Sequence, residues 1–497
     1  MNDKNTYNIV PYFSKSFSET TPIKQASCLK LLGFDAPDIT KARILELGCS
    51  YGGNIIPLAI NYPNCEIVGV DLSQLQIEEG SNIIDYLKLD NIKLYHKNIL
   101  DIDESFGKFD YIICHGVYSW VPDNVKEGIL KVISNHLTDT GSALVSYNCY
   151  PGWKKIDILR DAMKFRIDGL REMGIEISEN QAVSYGIGIL DFLKEHSLLS
   201  SEVKDRIDLI SSKSNHYIYH EYLEEYNDPL YFTQFAKQLE KQGLIHVIDT
   251  HIKKSTIIFN TPQSDSLEKE CENNYIMKEQ YLDFLHDVQF RHSIITKATN
   301  KSKINLTNTV ICEHLAEMYV RGRLAKAGND DYFNDLCLTE TNLNLAMLKY
   351  ISDAYPNTIQ VRELMEKFGE NVCSEIIQLI YHRHIKFYHI DLKWKNSLSG
   401  EVKLKPAINR YLQYFSECEK PAITLANFEN DIINVELSQE IYSIFNLFDG
   451  TKTKEEITQF VIENYQWNNK PASEFKIEVE KLVNSIEDLI ITNMFNE

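Results

Sequence analysis

The run Ile44-Leu45-Glu46-Leu47-Gly48-Cys49-Ser50-Tyr51-Gly52-Gly53-Asn54 constrains this chain most. Strand-forming residues lead into a glycine-punctuated turn, and helical spacing follows. Glycine at such a turn accepts a positive φ and lets a ligand approach the backbone. The run therefore predicts a strand, a binding loop and a helix within an α/β sheet. Asp71 closes the next apolar run, Ile67-Val68-Gly69-Val70. A carboxylate about 20 residues after the loop accepts hydrogen bonds from both hydroxyls of a ribose.

Read alone, Gly48-x-Ser50-x-x-Gly53 also fits a degraded dinucleotide fingerprint. Glu46 argues against that ligand. At the tip of the first strand its carboxylate lies near the place of a pyrophosphate, and like charges about 4 Å apart repel by roughly 4 kcal/mol at an effective dielectric near 20. The same carboxylate suits an ammonium and a sulfonium, which S-adenosylmethionine combines with an adenosine and no phosphate. Gly48, Ser50, Gly52, Asp71 and Leu72 form the cradle in this reading. Asn98 and Ile99, after the third strand, frame the adenine, although Asn98 fits an ordinary turn equally well. His115 bridges to the methionyl group or serves as a structural histidine.

Two aromatic segments leave the strand ends on the same side: His115-Gly116-Val117-Tyr118-Ser119-Trp120-Val121-Pro122 and Ser146-Tyr147-Asn148-Cys149-Tyr150-Pro151-Gly152-Trp153. Aromatic walls suit a long aliphatic amine and attract cations by about 0.5 to 2 kcal/mol. Tyr118, Trp120, Asn148, Tyr150 and Trp153 are the candidate acceptor residues, with Tyr147 read as core. Methyl transfer relies on positioning a nucleophile in line with the leaving sulfur. Burial beside a sulfonium lowers the pKa of an amine, so no dedicated base is required.

Short apolar runs at 43–47, 66–70, 92–95, 109–114 and 142–148 alternate with helical stretches from about 54, 74 and 123, the pattern of a doubly wound α/β domain over residues 1–152. Residues 153–225 read as a helical insertion. The helix carrying Phe232, Phe235, Ala236 and Leu239, then runs at 244–248 and 256–259, predict the return of the sheet over 226–262. Residues 263–335 read as a helical middle domain, and 336–497 as two winged-helix-like units. The first has helices at 342–354, 358–367 and 371–382 and a strand at 385–390. The second has helices at 437–448, 453–464 and 473–487 and a strand at 489–492. Their third helices carry no basic face, so protein packing is favoured over a nucleic-acid groove.

A chain with 51 Lys plus Arg against 71 Asp plus Glu, net −20, opposes binding to phosphate backbones or anionic lipid. Its ten cysteines form no Cys-x-x-Cys pair, so they read as reduced, largely buried thiols and no metal is expected. No uninterrupted apolar run approaches 18 residues. The expected location is the cytoplasm, with the protein not embedded in a membrane.

Beyond single residues, the coincident strings Pro11-Tyr12-Phe13-Ser14-Lys15-Ser16-Phe17, Glu46-Leu47-Gly48, Gly52-Gly53-Asn54, Gly69-Val70-Asp71-Leu72-Ser73, the two aromatic segments and His220-Glu221-Tyr222-Leu223 resemble a known family. They are similar to the class I S-adenosylmethionine-dependent methyltransferases with a methyltransferase regulatory domain, and within these to the rickettsial protein lysine methyltransferases that act on an outer-membrane protein. The resemblance implies a seven-stranded methyltransferase sheet and methyl transfer to lysines of a protein substrate, leaving S-adenosylhomocysteine. It further implies a homodimer formed through the helical insertion and a cavity for an extended substrate between catalytic and C-terminal domains. Ser50 and Thr21 depart from the glycine and histidine expected there. A small-molecule methyltransferase and a non-catalytic S-adenosylmethionine-sensing scaffold are the competing readings.

Overall fold

The computed structural model describes residues 14–196, 200–255, 261–272, 274–305, 312–323, 344–369, 371–393, 401–435, 437–467 and 470–496. Strands β1 (Arg43–Leu47), β2 (Glu66–Asp71), β3 (Ile92–His96), β4 (Phe109–Cys114) and β5 (Leu137–Tyr150) run parallel. A two-residue strand, β6 (Leu230–Tyr231), pairs with the end of β5. β7 (Leu244–Asp249) and β8 (Phe290–Lys297) complete the sheet in the order β3-β2-β1-β4-β5-β8-β7, with β8 antiparallel to both neighbours. Helices cover both faces, so residues 44–47 of β1 are all buried and its sequence is nearly continuous in apolar residues rather than alternating.

The helical insertion forms as expected, with helices Lys154–Glu172, Glu179–His196 and Ser201–Ser211 around a small core that includes Leu159, Met163, Leu190 and Ile207. The C-terminal units share cores with the sheet instead of hanging from it. Ile56, Ile77 and Leu94 join one apolar cluster with Tyr411, Phe445 and Ile490. On the other flank, Val247 and Ile294 join Leu348 and Ile376.

The structure revises several expectations. The predicted strand at 256–259 lies outside the described residues, and the seventh strand of the sheet is β8, inside the stretch read as a helical middle domain. Near its start Arg291, His292 and Ser293 are polar, with Arg291 and Ser293 buried and His292 half-buried, so the apolar alternation that signals a strand is missing. The first winged-helix unit begins before residue 336, because β9 (Tyr319–Arg321) lies between β10 (Ile359–Gln360) and β11 (Lys386–Tyr388) in a small antiparallel sheet. The expected strand at 489–492 is the last turn of helix Lys476–Thr492, whose Val479, Val483, Ile486 and Ile490 make one buried face. Local β-branched residues yield there to tertiary packing. Cys312 and Cys373 form a disulfide, against the expectation of thiols throughout.

Arg291 explains how a polar strand is tolerated in the middle of a sheet. Its fully buried guanidinium meets Asp283 (Nη2–Oδ1 2.7 Å) and Glu279 (Nη1–Oε2 2.9 Å), donates to the Glu279 carbonyl oxygen and stacks over Phe232. Both carboxylates come from helix Tyr275–Leu285, which is thereby fixed to the sheet. Removing one partner of such a cluster strands a buried charge and costs about 3 to 5 kcal/mol. Arg291→Met is expected to lower folding stability by that amount, read as a shift in the urea midpoint at neutral pH. A midpoint close to the unaltered protein's would show that the cluster does not anchor β8.

Candidate active site

The loop after β1 turns over the carboxyl ends of β1 and β2. Gly48 takes φ +77°, with Val117 so close that a Cβ would lie 2.4 Å from its Cγ2. Ser50 takes φ +52°, a conformation available to glycine without strain, and its N–H donates to Asp71 Oδ2 (2.8 Å). The Ser73 N–H donates to Asp71 Oδ1 (2.9 Å). Each oxygen of Asp71 retains acceptor capacity for a ribose hydroxyl. Burial lifts this carboxyl above its usual range, opposed by the N–H donors of Ser73, Ser50 and Leu72.

Asn54 is the hub of the loop. Its Nδ2 donates to Glu46 Oε1 (2.7 Å) and to Thr20 Oγ1 (3.0 Å), and its Oδ1 accepts from the Phe17 N–H (2.9 Å). Asn430, in a left-handed turn of the C-terminal region, donates to the Asn54 backbone oxygen (2.6 Å) and to its Oδ1 (3.1 Å). Ser14 lies against the same loop: the Gly53 N–H donates to Ser14 Oγ (3.0 Å), and a Cβ on Gly53 would stand 2.5 Å from the Ser14 carbonyl oxygen. The Asn430 turn is itself held from the first winged-helix unit, because Glu429 receives Arg321 and Tyr388.

Glu46 is 4 % exposed, and burial pushes its carboxyl up to about 8 against the opposing Asn54 hydrogen bond. Glu46 Oε2, Ser50 Oγ and His115 Nδ1 are buried without a hydrogen-bond partner among the described residues. Such orphaned polar atoms grouped at strand ends fit a polar ligand. The Glu46 acceptor suits an ammonium and the Asp71 carboxylate a ribose. Leu72 is exposed, and Ile99 is half-buried. Asn98 accepts the Leu100 N–H (2.9 Å) as the cap of a short 3-10 turn, the ordinary turn role also foreseen for it.

His115 begins a row of three rings. It stacks on His292 (centroids 5.5 Å, 11°), which stacks on His251 (5.4 Å, 28°), while Phe17 covers His115 at 4.1 Å. Burial pushes His115 down to about 4, His292 well below its ordinary range and His251 downward too. The row is uncharged at neutral pH.

The candidate acceptor residues separate. Trp120 and Tyr150 remain half-buried, and the Tyr150 hydroxyl donates to Asp157 (2.7 Å) under the Lys154 ammonium. Tyr118, read as a candidate acceptor residue, is instead drawn into the core: it is 1 % exposed, packs on Tyr147 and Phe235, and donates to Gln238 (2.8 Å). Trp153 is likewise drawn into the core of the insertion, because the helix from Lys154 starts immediately after it. Asn148 is buried and donates to Asn227 (3.3 Å). Tyr147 is core, as read. Thr20, Asn430, His251 and His292 were not singled out by sequence; only the turn-forming composition of Asn427-Phe428-Glu429-Asn430-Asp431 hints at the left-handed asparagine.

Residues 45–143 match the family described as a methyltransferase domain, and residues 214–297 match the one described as a predicted methyltransferase regulatory domain. The latter stretch supplies β6, β7 and β8. The chain is similar to PKMT2 from Rickettsia typhi, solved in complex with AdoHcy, at 26 % identity and a TM-score of 0.80 over 98 % of this chain and 100 % of that one. It is 37 % identical over 241 residues to the uncharacterized protein RP028 of Rickettsia prowazekii, covering 48 % of this chain and 96 % of the relative. It is also 37 % identical over 311 residues to the uncharacterized protein RP789 of the same organism, covering 62 % of this chain and 55 % of the relative. The match thus spans about half the length of RP789.

Two outcomes follow from the loop. Asn430→Ala removes a donor that holds Asn54, and a net loss of about 1 kcal/mol predicts roughly fivefold weaker S-adenosylmethionine binding by calorimetry. Unchanged affinity would separate the C-terminal turn from the loop. Glu46 ionises near 8 in the free protein, and a cationic ligand favours its carboxylate, so binding must release a proton below that value. Affinity is expected to rise by up to about tenfold per pH unit between pH 6 and 8 and then level off. A flat profile would mean that Glu46 does not meet the cationic arm.

Proposed function

The chain belongs to the S-adenosylmethionine-dependent methyltransferases that carry a methyltransferase regulatory domain, and from that premise we propose that it transfers methyl groups to lysine side chains of a protein. The observation that supports this most is the pair of carboxylates at adjacent strand tips. The register Leu47↔Val70 sets Asp71 beside the start of the loop, with Glu46 one residue back on β1. One acid then serves the ribose and the other the ammonium.

When bound, S-adenosylmethionine supplies a methyl group on a sulfonium. Asp71 holds the sugar, Glu46 is oriented toward the cationic arm by Asn54, and the neutral His115 adds polar surface without repelling the positive ligand. Phe17 and the His115 row exclude water from this side. An entering lysine must shed its proton; Trp120 and Tyr150 line its path, and burial beside the positive sulfonium disfavours the ammonium. Chain residues thereby position and desolvate the amine, whose proton leaves to solvent water, because the neutral imidazoles of the row, pushed down by burial, are weak bases. The resemblance to rickettsial enzymes that act on an outer-membrane protein makes such a surface protein the substrate of choice. The helical insertion, with Phe165 83 % and Phe192 56 % exposed, is the face for a homodimer.

Incubation with labelled S-adenosylmethionine and a lysine-rich outer-membrane protein, followed by peptide mapping, tests the reading. Label on lysines supports it; label on small molecules alone favours the small-molecule enzyme, and cofactor binding without transfer favours the scaffold. Asp71→Ala removes hydrogen bonds to a charged acceptor worth about 1.5 to 3 kcal/mol each, so cofactor affinity should fall at least tenfold by calorimetry. Unchanged affinity would move the ribose elsewhere.

A further inference from the structure

A cavity of about 440 Å³ opens between the sheet and the first winged-helix unit. Its catalytic wall is the turn after β7 and the start of β8, and its opposite wall includes Tyr381, Arg383 and Phe387. Phe290 lines it and also packs edge-on against His115 (6.0 Å, 88°), so one ring separates the cavity from the methyl-transfer site.

The charges around it do not balance. Glu19 is taken up by Arg383 (2.9 Å), and Asp287 by Lys155 (2.7 Å). Lys254 donates to the Phe290 carbonyl oxygen (2.6 Å) and has Asp249 at 3.8 Å. Lys24 and Lys253 have no carboxylate within ion-pair distance among the described residues. The Lys24 ammonium leans on the Phe387 ring (4.5 Å) and that of Lys253 on Tyr381 (5.8 Å), contacts that do not neutralise a charge. Lys253 also helps to depress His286 and His382, after burial, as a local positive field would. Within a chain of net charge −20, this is a cationic recess.

We infer that the cavity takes a carboxylate-bearing stretch of the protein substrate, so that lysines with acidic neighbours are selected; this rests on the lysine methyltransferase reading above. Aspartate or glutamate side chains pair with Lys24 and Lys253. The wall between them, from Ile252, Val288 and Ile380, suits the aliphatic parts of a peptide better than it suits a bare anion. The same two ammoniums repel a lysine-rich segment, so the enzyme's overall acidity does not make it a general acceptor of basic chains.

Binding of fluorescein-labelled poly-L-glutamate, followed by anisotropy, reads the cavity without turnover. Lys24→Gln/Lys253→Gln should weaken it at least tenfold while S-adenosylmethionine affinity, measured on the same preparation, stays unchanged. Equal binding by the double variant, no binding by the unaltered protein, or displacement by millimolar inorganic phosphate but not by unlabelled poly-L-glutamate would overturn the inference. Turnover then separates it from the reading on which it rests. A random copolymer of glutamate and lysine should be methylated with at least tenfold higher kcat/KM than poly-L-lysine, and the double variant should erase that preference through KM. Equal use of both polymers overturns the selectivity alone; methylation of neither, with poly-L-glutamate still bound, counts against lysine as acceptor and so against both.

Discussion

The side-chain amide of Asn54 is the point through which the rest of the site is held. It has one acceptor and two donors, and each is engaged: the N-terminal arm through Phe17 and Thr20, the first strand through Glu46 and the C-terminal region through Asn430. A buried network of this kind couples its members, so the three regions are tied to one another through this one amide. Glu46 keeps one oxygen engaged by Asn54 and the other without a partner. The loop is thus partly prepared for a cation, with its orientation fixed before any ligand arrives. Through Glu429, Arg321 and Tyr388 the same network reaches the first winged-helix unit. The C-terminal region is therefore mechanically part of the loop after β1.

Electrostatics across the site change sign over a short span. Two carboxylates lie at the tips of β1 and β2, where positive charge is wanted. Three stacked imidazoles follow, emptied of charge by burial. Beyond them lies the recess with Lys24 and Lys253. The carboxylate end suits a cation, and the recess suits an anion. Burial empties the imidazole row of charge, because desolvation heads the causes of the shifts at His115 and His292, whereas at Glu46 and Asp71 the same desolvation raises the carboxyls and a cation must offset it.

The parallel sheet and its loop were legible because their determinants are local. The Ile44 to Asn54 run carries its own strand pattern and turn chemistry, and Asp71 follows at the distance one strand–helix unit imposes. Asn430 was not legible: it lies 376 residues from Asn54, and its role depends on a left-handed turn that only tertiary contacts hold. β8 was hidden for a related reason. Arg291 can be buried because Asp283 and Glu279 on the preceding helix receive its guanidinium, and the His292 N–H is met by Asp249 of β7, pairings that no apolar pattern announces. Aromatic residues were misjudged where a partner decides: Tyr118 and Trp153 look alike in sequence to Trp120 and Tyr150, yet Phe235 and the insertion core withdraw them.

The position of β8 has a consequence for how the chain is made. It is the last strand of the sheet to leave the ribosome, yet it lies between β5 and β7. Until residue 297 is free, both of those strands present unpaired backbone along a full edge, the surface most prone to pairing with another molecule. A nascent chain or fragment stopped before this point holds the donor loop in sequence but has an unclosed gap beside the aromatic segments. The stretch matched to the regulatory family is thus the closing wedge of the catalytic sheet, and its acidic helix and buried arginine arrive as one unit to seal it.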